Sequence, residues 1–287
     1  MRRAILPSLG LAALLALAAA PALPAQETLP GEARAARPAF PVPLTRGPFQ
    51  VYDLPPSGPA AVAPARAVVV FASGPGGWTY WEDRVCRHLS RQGVYVLGVD
   101  LAAYRGGDGE GEGRNQEAVA ADFERIAEAA PAPLLVPDAP VYYAGRADGA
   151  AFALAAAALP PAPPRLAGLL LVDPPERARY AERFTDAIPL SLFAPHGPGT
   201  FGLAQLAPAL GKKLRVLDLR SNGAAAAWLD AVPGEHRRID CPHSWRQFDQ
   251  VTKALVQALD DGLAWLLAPP APAVAPAPAE LPAAPPA

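Results

Sequence analysis

The chain is short of the features that mark several large classes of protein. Acidic and basic residues nearly balance, 27 against 25, for a formal charge of −2, so a surface for a nucleic-acid backbone is not expected. Only three lysines are present, Lys212, Lys213 and Lys253, and the remaining positive charge is arginine. The two cysteines, Cys86 and Cys241, lack the spacing of a zinc site. Asp108-Gly-Glu-Gly-Glu-Gly113 starts like a calcium loop but has no carboxylate at its twelfth position. It reads as a flexible acidic loop, and no metal or cofactor is expected. No internal repeat is visible. The apolar run Leu9 to Ala20 is short for a membrane span and is flanked by Pro7 and Pro21.

What is present suits one large domain. The chain has 287 residues, 51% hydrophobic and 18% charged, which is the balance of a globular protein with a sizeable core. Arg2 and Arg3, the apolar run, and the small-residue sites Ala20-Pro-Ala22 and Leu23-Pro-Ala25 have the layout of a secretory signal. An uncleaved anchor would need a longer unbroken run. No cysteine lies near the cleavage sites, which argues against a lipoprotein, and the paired arginines lack a longer twin-arginine context. General secretion to the periplasm or the medium is the expectation. The organisation read from composition is a signal peptide at 1–25, a Pro/Ala-rich linker at 26–44, a folded domain at 45–267, and an extended or disordered Ala/Pro tail at 268–287.

Within the domain, near-continuous apolar runs alternate with helical patterns. Ala67 to Phe71, Val94 to Val99, Val141 to Ala144, Leu169 to Val172 and Leu214 to Leu217 read as strands covered on both faces. Trp81, Val85 and Leu89 recur at helical spacing. Val119 to Ala129, Ala150 to Leu159 and Val251 to Leu267 are also helical in pattern. Strand and helix in alternation predict an α/β fold with a mostly parallel sheet and helices on both faces. Ligands in such folds gather at the carboxyl ends of the strands.

Two loops at those ends could carry chemistry. Val141-Tyr-Tyr-Ala-Gly-Arg-Ala-Asp-Gly-Ala150 runs from a strand through a Gly-x-Ala-x-Gly turn into an Ala-rich helix. That is the layout of a nucleophile elbow, Gly-x-Ser-x-Gly, with alanine at the nucleophile position, Ala147. Ser73-Gly-Pro-Gly-Gly-Trp78 follows the first buried strand. Trp78, Tyr80 and Trp81 read as core and pocket wall rather than as a cofactor box.

Together with Leu97-Gly-Val-Asp100, Tyr104 and His243-Ser-Trp245, these segments resemble the VirJ/AcvB branch of the α/β-hydrolases, a group of bacterial virulence proteins. The resemblance spans roughly residues 65–267 and implies an α/β-hydrolase fold. It implies exported hydrolases, one branch acting on aminoacylated phosphatidylglycerol, with roles linked to secretion systems. Carried onto this chain, it makes Gly76, Gly77 and Trp78 the oxyanion loop and His243 the catalytic histidine, with the residue after the elbow, Asp148, completing the hole. The chain departs from that pattern in three places. Ala147 offers no nucleophile. A carboxylate on Asp148, if it faced the site, would oppose developing negative charge. Past the strand at Leu214 to Leu217, where an acid is expected, Ser221-Asn-Gly223 stands instead, with Asp218 placed inside the strand. Asp173, at the end of the strand before it, is the remaining candidate acid. Cys86 and Cys241 could approach one another in this fold, but two separate buried thiols are the expectation, since a bridge needs Cα atoms within roughly 7 Å.

Three functions fit these residues: a pseudoenzyme that binds a small molecule or lipid, an active hydrolase (on an ester or aminoacyl lipid) with another catalytic set, and an envelope scaffold with a protein partner. Export is common to all three. N-terminal sequencing of periplasmic protein is expected to begin near Leu23 or Gln26; Met1 retained on cytoplasmic protein overturns the export reading.

Overall fold

The computed structural model describes residues 39–106, 115–180, 199–221, 226–241 and 252–269. An edge hairpin opens the sheet: β1 (Ala39–Leu44) pairs antiparallel with β2 (Gly47–Leu54). Then come β3 (Val68–Ala72), α1 (Tyr80–Arg91), β4 (Tyr95–Val99), α2 (Leu101–Gly106) and α3 (Gln116–Glu128). The centre follows with β5 (Val141–Arg146), α4 (Asp148–Ala157) and β6 (Leu166–Val172). A small separate hairpin, β7 (Arg177–Arg179) and β8 (Thr200–Gly202), leads to α5 (Leu203–Leu206), β9 (Arg215–Arg220), β10 (His236–Asp240) and α6 (Lys253–Leu267). The large sheet has the order β1-β2-β4-β3-β5-β6-β9-β10 and is parallel from β4 to β10. Only the β1–β2 and β2–β4 pairings are antiparallel.

The apolar runs are continuous because both faces of the sheet are covered. Successive strand residues point to opposite faces. Val68, Val70 and Ala72 join one core with Val119, Phe123 and Ile126 of α3 and the Ala-rich α4. Val69 and Phe71 join the other, with Val85 and Leu89 of α1 and Leu255, Leu259 and Leu263 of α6. Trp78 and Trp81 belong to that second core, as expected; Tyr80 does not, being 46% exposed beneath Arg84. Among the described residues, no helix is long and apolar enough to cross a membrane.

Both domain boundaries differ from the sequence expectation. The segment 26–44 was expected to be a linker, but β1 occupies its last six residues. Phe40, Val42 and Leu44 face inward while Pro41 and Pro43 face out, on an edge strand where a missing N–H is tolerated. At the other end, Arg215 donates to the carbonyls of Trp265, Ala268 and Pro269, so the fold runs two residues into the expected tail. A basic side chain on the last carbonyls is a common way to close a helix. Residues 1–38 and 270–287 lie outside the described residues, as does the acidic loop at 108–113. The strand β10 was missed because its residues are charged and partly exposed, which suits a sheet edge that must not pair with another chain.

The first boundary is measurable. Val42 and Leu44 are both buried, and Thr45 donates to Asp122 through its N–H and its hydroxyl. Burying two aliphatic side chains stabilises by roughly 3–5 kcal/mol. A chain beginning at Thr45 is expected to be less stable by about that amount in urea denaturation than one beginning at Ala39; equal midpoints would show β1 to be dispensable.

Candidate functional site

The turn between β5 and α4 is a strained elbow. Ala147 has φ 49° and ψ −122°, a region where non-glycine residues are rare and cost about 1–3 kcal/mol. The surroundings enforce it. Ala147 N–H donates to the Val172 carbonyl at 2.8 Å, and its own carbonyl accepts from Ala150 and Ala151 as α4 begins. The flanking glycines are steric requirements. A Cβ on Gly145 would overlap the Gly149 backbone, and one on Gly149 would overlap the carbonyl oxygens of Ala72 and Ser73. The elbow therefore has the backbone of a nucleophile turn and presents a methyl group.

The loop after β3 faces the elbow through Ser73 and Gly74, and its donors are largely committed. Gly77 N–H closes a turn onto the Gly74 carbonyl at 3.1 Å. Trp78 N–H donates to Asp100 Oδ2 at 3.1 Å. Thr79 N–H donates to Glu82 Oε2 at 2.9 Å in a capping box that starts α1, and Gly74 N–H points to Glu82 Oε1 at 3.4 Å. Pro75 has no N–H. Of the expected oxyanion donors, Gly77 and Trp78 thus bond inside the protein, and only Gly76 keeps an N–H without an acceptor among the described residues. The Asp148 N–H, in the first turn of α4, is likewise without one. Gly77 sits at φ 80°, where a Cβ would lie 2.8 Å from Asp100 Oδ1. Asp100 also accepts from Ala103 N–H at 3.0 Å, so one carboxylate ties the loop to α2.

Ion pairs cluster around these turns. Arg146 and Glu82 meet at 3.0 Å, with side chains 8% and 0% exposed, and the guanidinium lies 4.9 Å over the Trp81 ring. Burial lowers the pKa of Arg146, and Glu82 and then Asp173 oppose that shift. Asp148 does not stand unpaired at the site: its Oδ2 is 2.7 Å from Arg105 Nη2, whose side chain is buried over Phe152. None of Arg146, Glu82, Arg105 or Asp100 was singled out for these contacts from the sequence. Arginine at the second position of the Gly-x-Ala turn was the available signal for the first.

Asp173 lies where the candidate acid was expected, just past β6, with φ 46°. Its N–H donates to the Leu219 carbonyl, and its Oδ1 accepts from Ser221 N–H at 2.8 Å. It therefore bridges the ends of β6 and β9 beside the elbow. Asp218 is inside β9, as expected, and pairs with Arg220 at 2.8 Å. Burial raises its pKa, opposed by Arg220. Arg220 Nη1 also donates to the Pro174 carbonyl, holding the residue after Asp173. His243 lies outside the described residues, so its place relative to Asp173 and Ala147 is not given by the structure. Cys86 and Cys241 are both buried in the second core and no disulfide joins them. Burial, and after it the negative charge of Asp173, pushes the Cys241 thiol up to about 12. No cluster of three or more metal-binding side chains occurs among the described residues.

The comparisons agree with this geometry. Residues 66–153, which carry the loop, Asp100 and the elbow, match a family of bacterial virulence proteins described as VirJ. No curated protein matches. Est1E from Butyrivibrio proteoclasticus superposes with a TM-score of 0.55 at 12% identity, over 80% of this chain and 98% of that one. The carboxylesterase EstE1 from a metagenomic library gives 0.54 at 18% identity, over 81% and 88%. A dienelactone hydrolase from Anabaena variabilis gives 0.52 at 15%, over 79% and 95%. These likenesses establish the fold: the chain is an α/β-hydrolase-fold protein.

The Glu82–Arg146 pair offers a direct test of what holds the elbow and loop together. Removing one partner of a buried pair leaves an uncompensated charge and typically costs about 3–5 kcal/mol. Glu82→Gln and Arg146→Met are each expected to lower stability by that order, and the double variant to recover much of the loss. Additive losses in the double variant would show that the two residues act separately.

Proposed function

We propose that this protein is an exported binding protein of the bacterial envelope that retains a hydrolase pocket and carries out no serine-type hydrolysis. The observation that carries the reading is Ala147, held at φ 49° at the tip of the elbow with only a methyl group to offer. Acyl transfer through a covalent intermediate needs an oxygen, sulfur or nitrogen nucleophile there. The loop supports the same reading, because Gly77 and Trp78 direct their N–H groups to Gly74 and Asp100 rather than to a developing oxyanion. What remains is a sheet end with two amides, Gly76 and Asp148, that have no acceptor among the described residues, and an ion pair between Arg105 and Asp148. Those are binding elements without a reactive atom. Small molecules or lipids with an ester or lactone group are the first ligands to try, since the structural neighbours include esterases and a dienelactone hydrolase.

The scaffold's latent chemistry can be probed. Wild-type protein is expected to react with no fluorophosphonate probe and to turn over no p-nitrophenyl ester. Ala147→Ser restores a hydroxyl at the elbow and is expected to give weak labelling, because the triad members act as a unit and the acid here is Asp173 rather than a residue after β9. Adding His243→Ala is expected to remove that labelling. Ester turnover by wild-type protein that depends on His243 would overturn the reading.

A further inference from the structure

In the large sheet, β1 and β10 hold the two edges, and they are closed differently. β1 carries Pro41 and Pro43, which offer no N–H to any added strand. β10 has no proline over His236–Asp240 and keeps a complete outer row of backbone groups. In a parallel pair, every second residue turns both its N–H and its carbonyl to the neighbour. Val216 N–H donates to the Glu235 carbonyl at 2.9 Å, and Cys241 N–H to the Arg220 carbonyl at 2.8 Å, which fixes the phase. Residues 235, 237, 239 and 241 therefore face β9, and His236, Arg238 and Asp240 direct their backbone N–H and carbonyl groups outward. None of those outward groups has a hydrogen bond among the described residues.

The side chains along this edge are basic. His236 and Arg237 are exposed. Ile239 packs against the second core, so Arg237, two residues away, lies on that same α6 face of the strand. Lys212 and Lys213 are exposed in the turn before β9, and Gly234 lies against that turn: a Cβ there would be 3.1 Å from the Lys212 carbonyl oxygen. Two of the chain's three lysines thus stand at the amino end of the β10 edge. The acidic residues of the strand and its approach are already engaged, Asp240 with Arg238 at 2.7 Å and Glu235 with Arg215 at 2.9 Å. Lys212, Lys213 and Arg237 have no ion pair among the described residues. Against these three stands Asp230, exposed in the turn at Ala227–Ala231 and likewise without an ion pair there.

We propose that the β10 edge is a docking site for an extended acidic segment of a partner polypeptide, which adds to the sheet as a further strand. The outward N–H and carbonyl groups of His236, Arg238 and Asp240 supply the ladder, and Arg237, Lys212 and Lys213 select carboxylates on the added strand. The edge is about 17 Å long, which matches a short extended segment. A charge guard acts by sign, unlike a proline. It opposes a second copy, which in full antiparallel register would set Arg238 against Arg238, and it favours an acidic strand. An anionic membrane would satisfy the basic side chains but has no use for a row of strand donors and acceptors. The proposal is independent of the reading at the elbow, because the two sites share no residue.

Fluorescence anisotropy of the full chain with a labelled peptide of alternating Glu and Val tests it, against a Lys/Val peptide and a Glu/Val peptide whose amides are all N-methylated. The Glu/Val peptide is expected to bind saturably, and the other two at least about tenfold more weakly. Added salt is expected to weaken it. His236→Pro removes one outward N–H and no bond to β9, and is expected to weaken binding about threefold or more at an unchanged melting temperature. His236→Ala, which keeps the N–H, is expected to bind as the wild type does. Arg237→Glu with Lys213→Glu is expected to weaken binding about tenfold. Equal binding of the lysine or N-methylated peptide, indifference to His236→Pro, or no saturable binding would overturn the proposal. Two other outcomes would equally overturn it. One is a dimer in sedimentation equilibrium that His236→Pro dissociates, which gives the edge to a second copy. The other is binding of phosphatidylglycerol vesicles, but no peptide, through Arg237 and Lys213.

Discussion

Helix α4 comes so close to β3 that the Gly149 Cα rests against the carbonyls of Ala72 and Ser73, with no room for even a methyl group. The carboxyl end of the sheet is organised around this contact. A chain leaving β5 can enter a helix packed that tightly only by reversing within one residue, and the reversal falls on Ala147 at positive φ. The conformation is unfavourable for alanine and has no local cause. It persists because the strand pairing to Val172, the first hydrogen bonds of α4 and the two glycine approaches together over-determine it. In a working hydrolase the same strain lifts a hydroxyl into the site. Here the backbone strain is retained and the hydroxyl is absent.

Around the elbow, charge is neutralised internally. Glu82 serves the capping box of α1, the loop amide of Gly74 and the Arg146 guanidinium at once. Asp100 ties Trp78 to α2, Asp148 pairs with Arg105, and Asp218 pairs with Arg220. Buried pairs of this kind contribute little net stability relative to apolar replacements, but breaking one is costly. Glu82 and Asp100 also engage the loop amides of Gly74, Trp78 and Thr79. The result is a rim around the elbow whose described carboxylates are paired with arginines or backbone amides.

The fold was largely legible in the sequence, for a physical reason. Strands covered on both faces must be apolar at every position, so β3, β4, β5 and β6 appear as unbroken runs. The edges follow other rules. Pro41 and Pro43 concealed the alternation of Phe40, Val42 and Leu44 in β1, and Arg237 and Arg238 made β10 look like a loop. The terminal strands of a sheet carry such residues because an unpaired edge invites association.

The site divided along a similar line. Ala147 and its flanking glycines were readable because the elbow is local: strand, turn and helix lie within ten residues, and backbone crowding requires glycine at fixed offsets. Asp173 was readable as the last residue before a turn. The partners of these groups were not. Trp78 meets Asp100 across 22 positions, Arg146 meets Glu82 across 64, and Asp173 meets Ser221 across 48. By itself, the sequence determined that the chain folds as a layered α/β protein and that its elbow carries no nucleophile, since both depend on residue type and short-range spacing. Where each loop amide points and which carboxylates are neutralised were decided only in the tertiary structure. Hydrogen bonds and ion pairs depend on distances of about 3 Å between side chains that only the packing of helices on the sheet brings together.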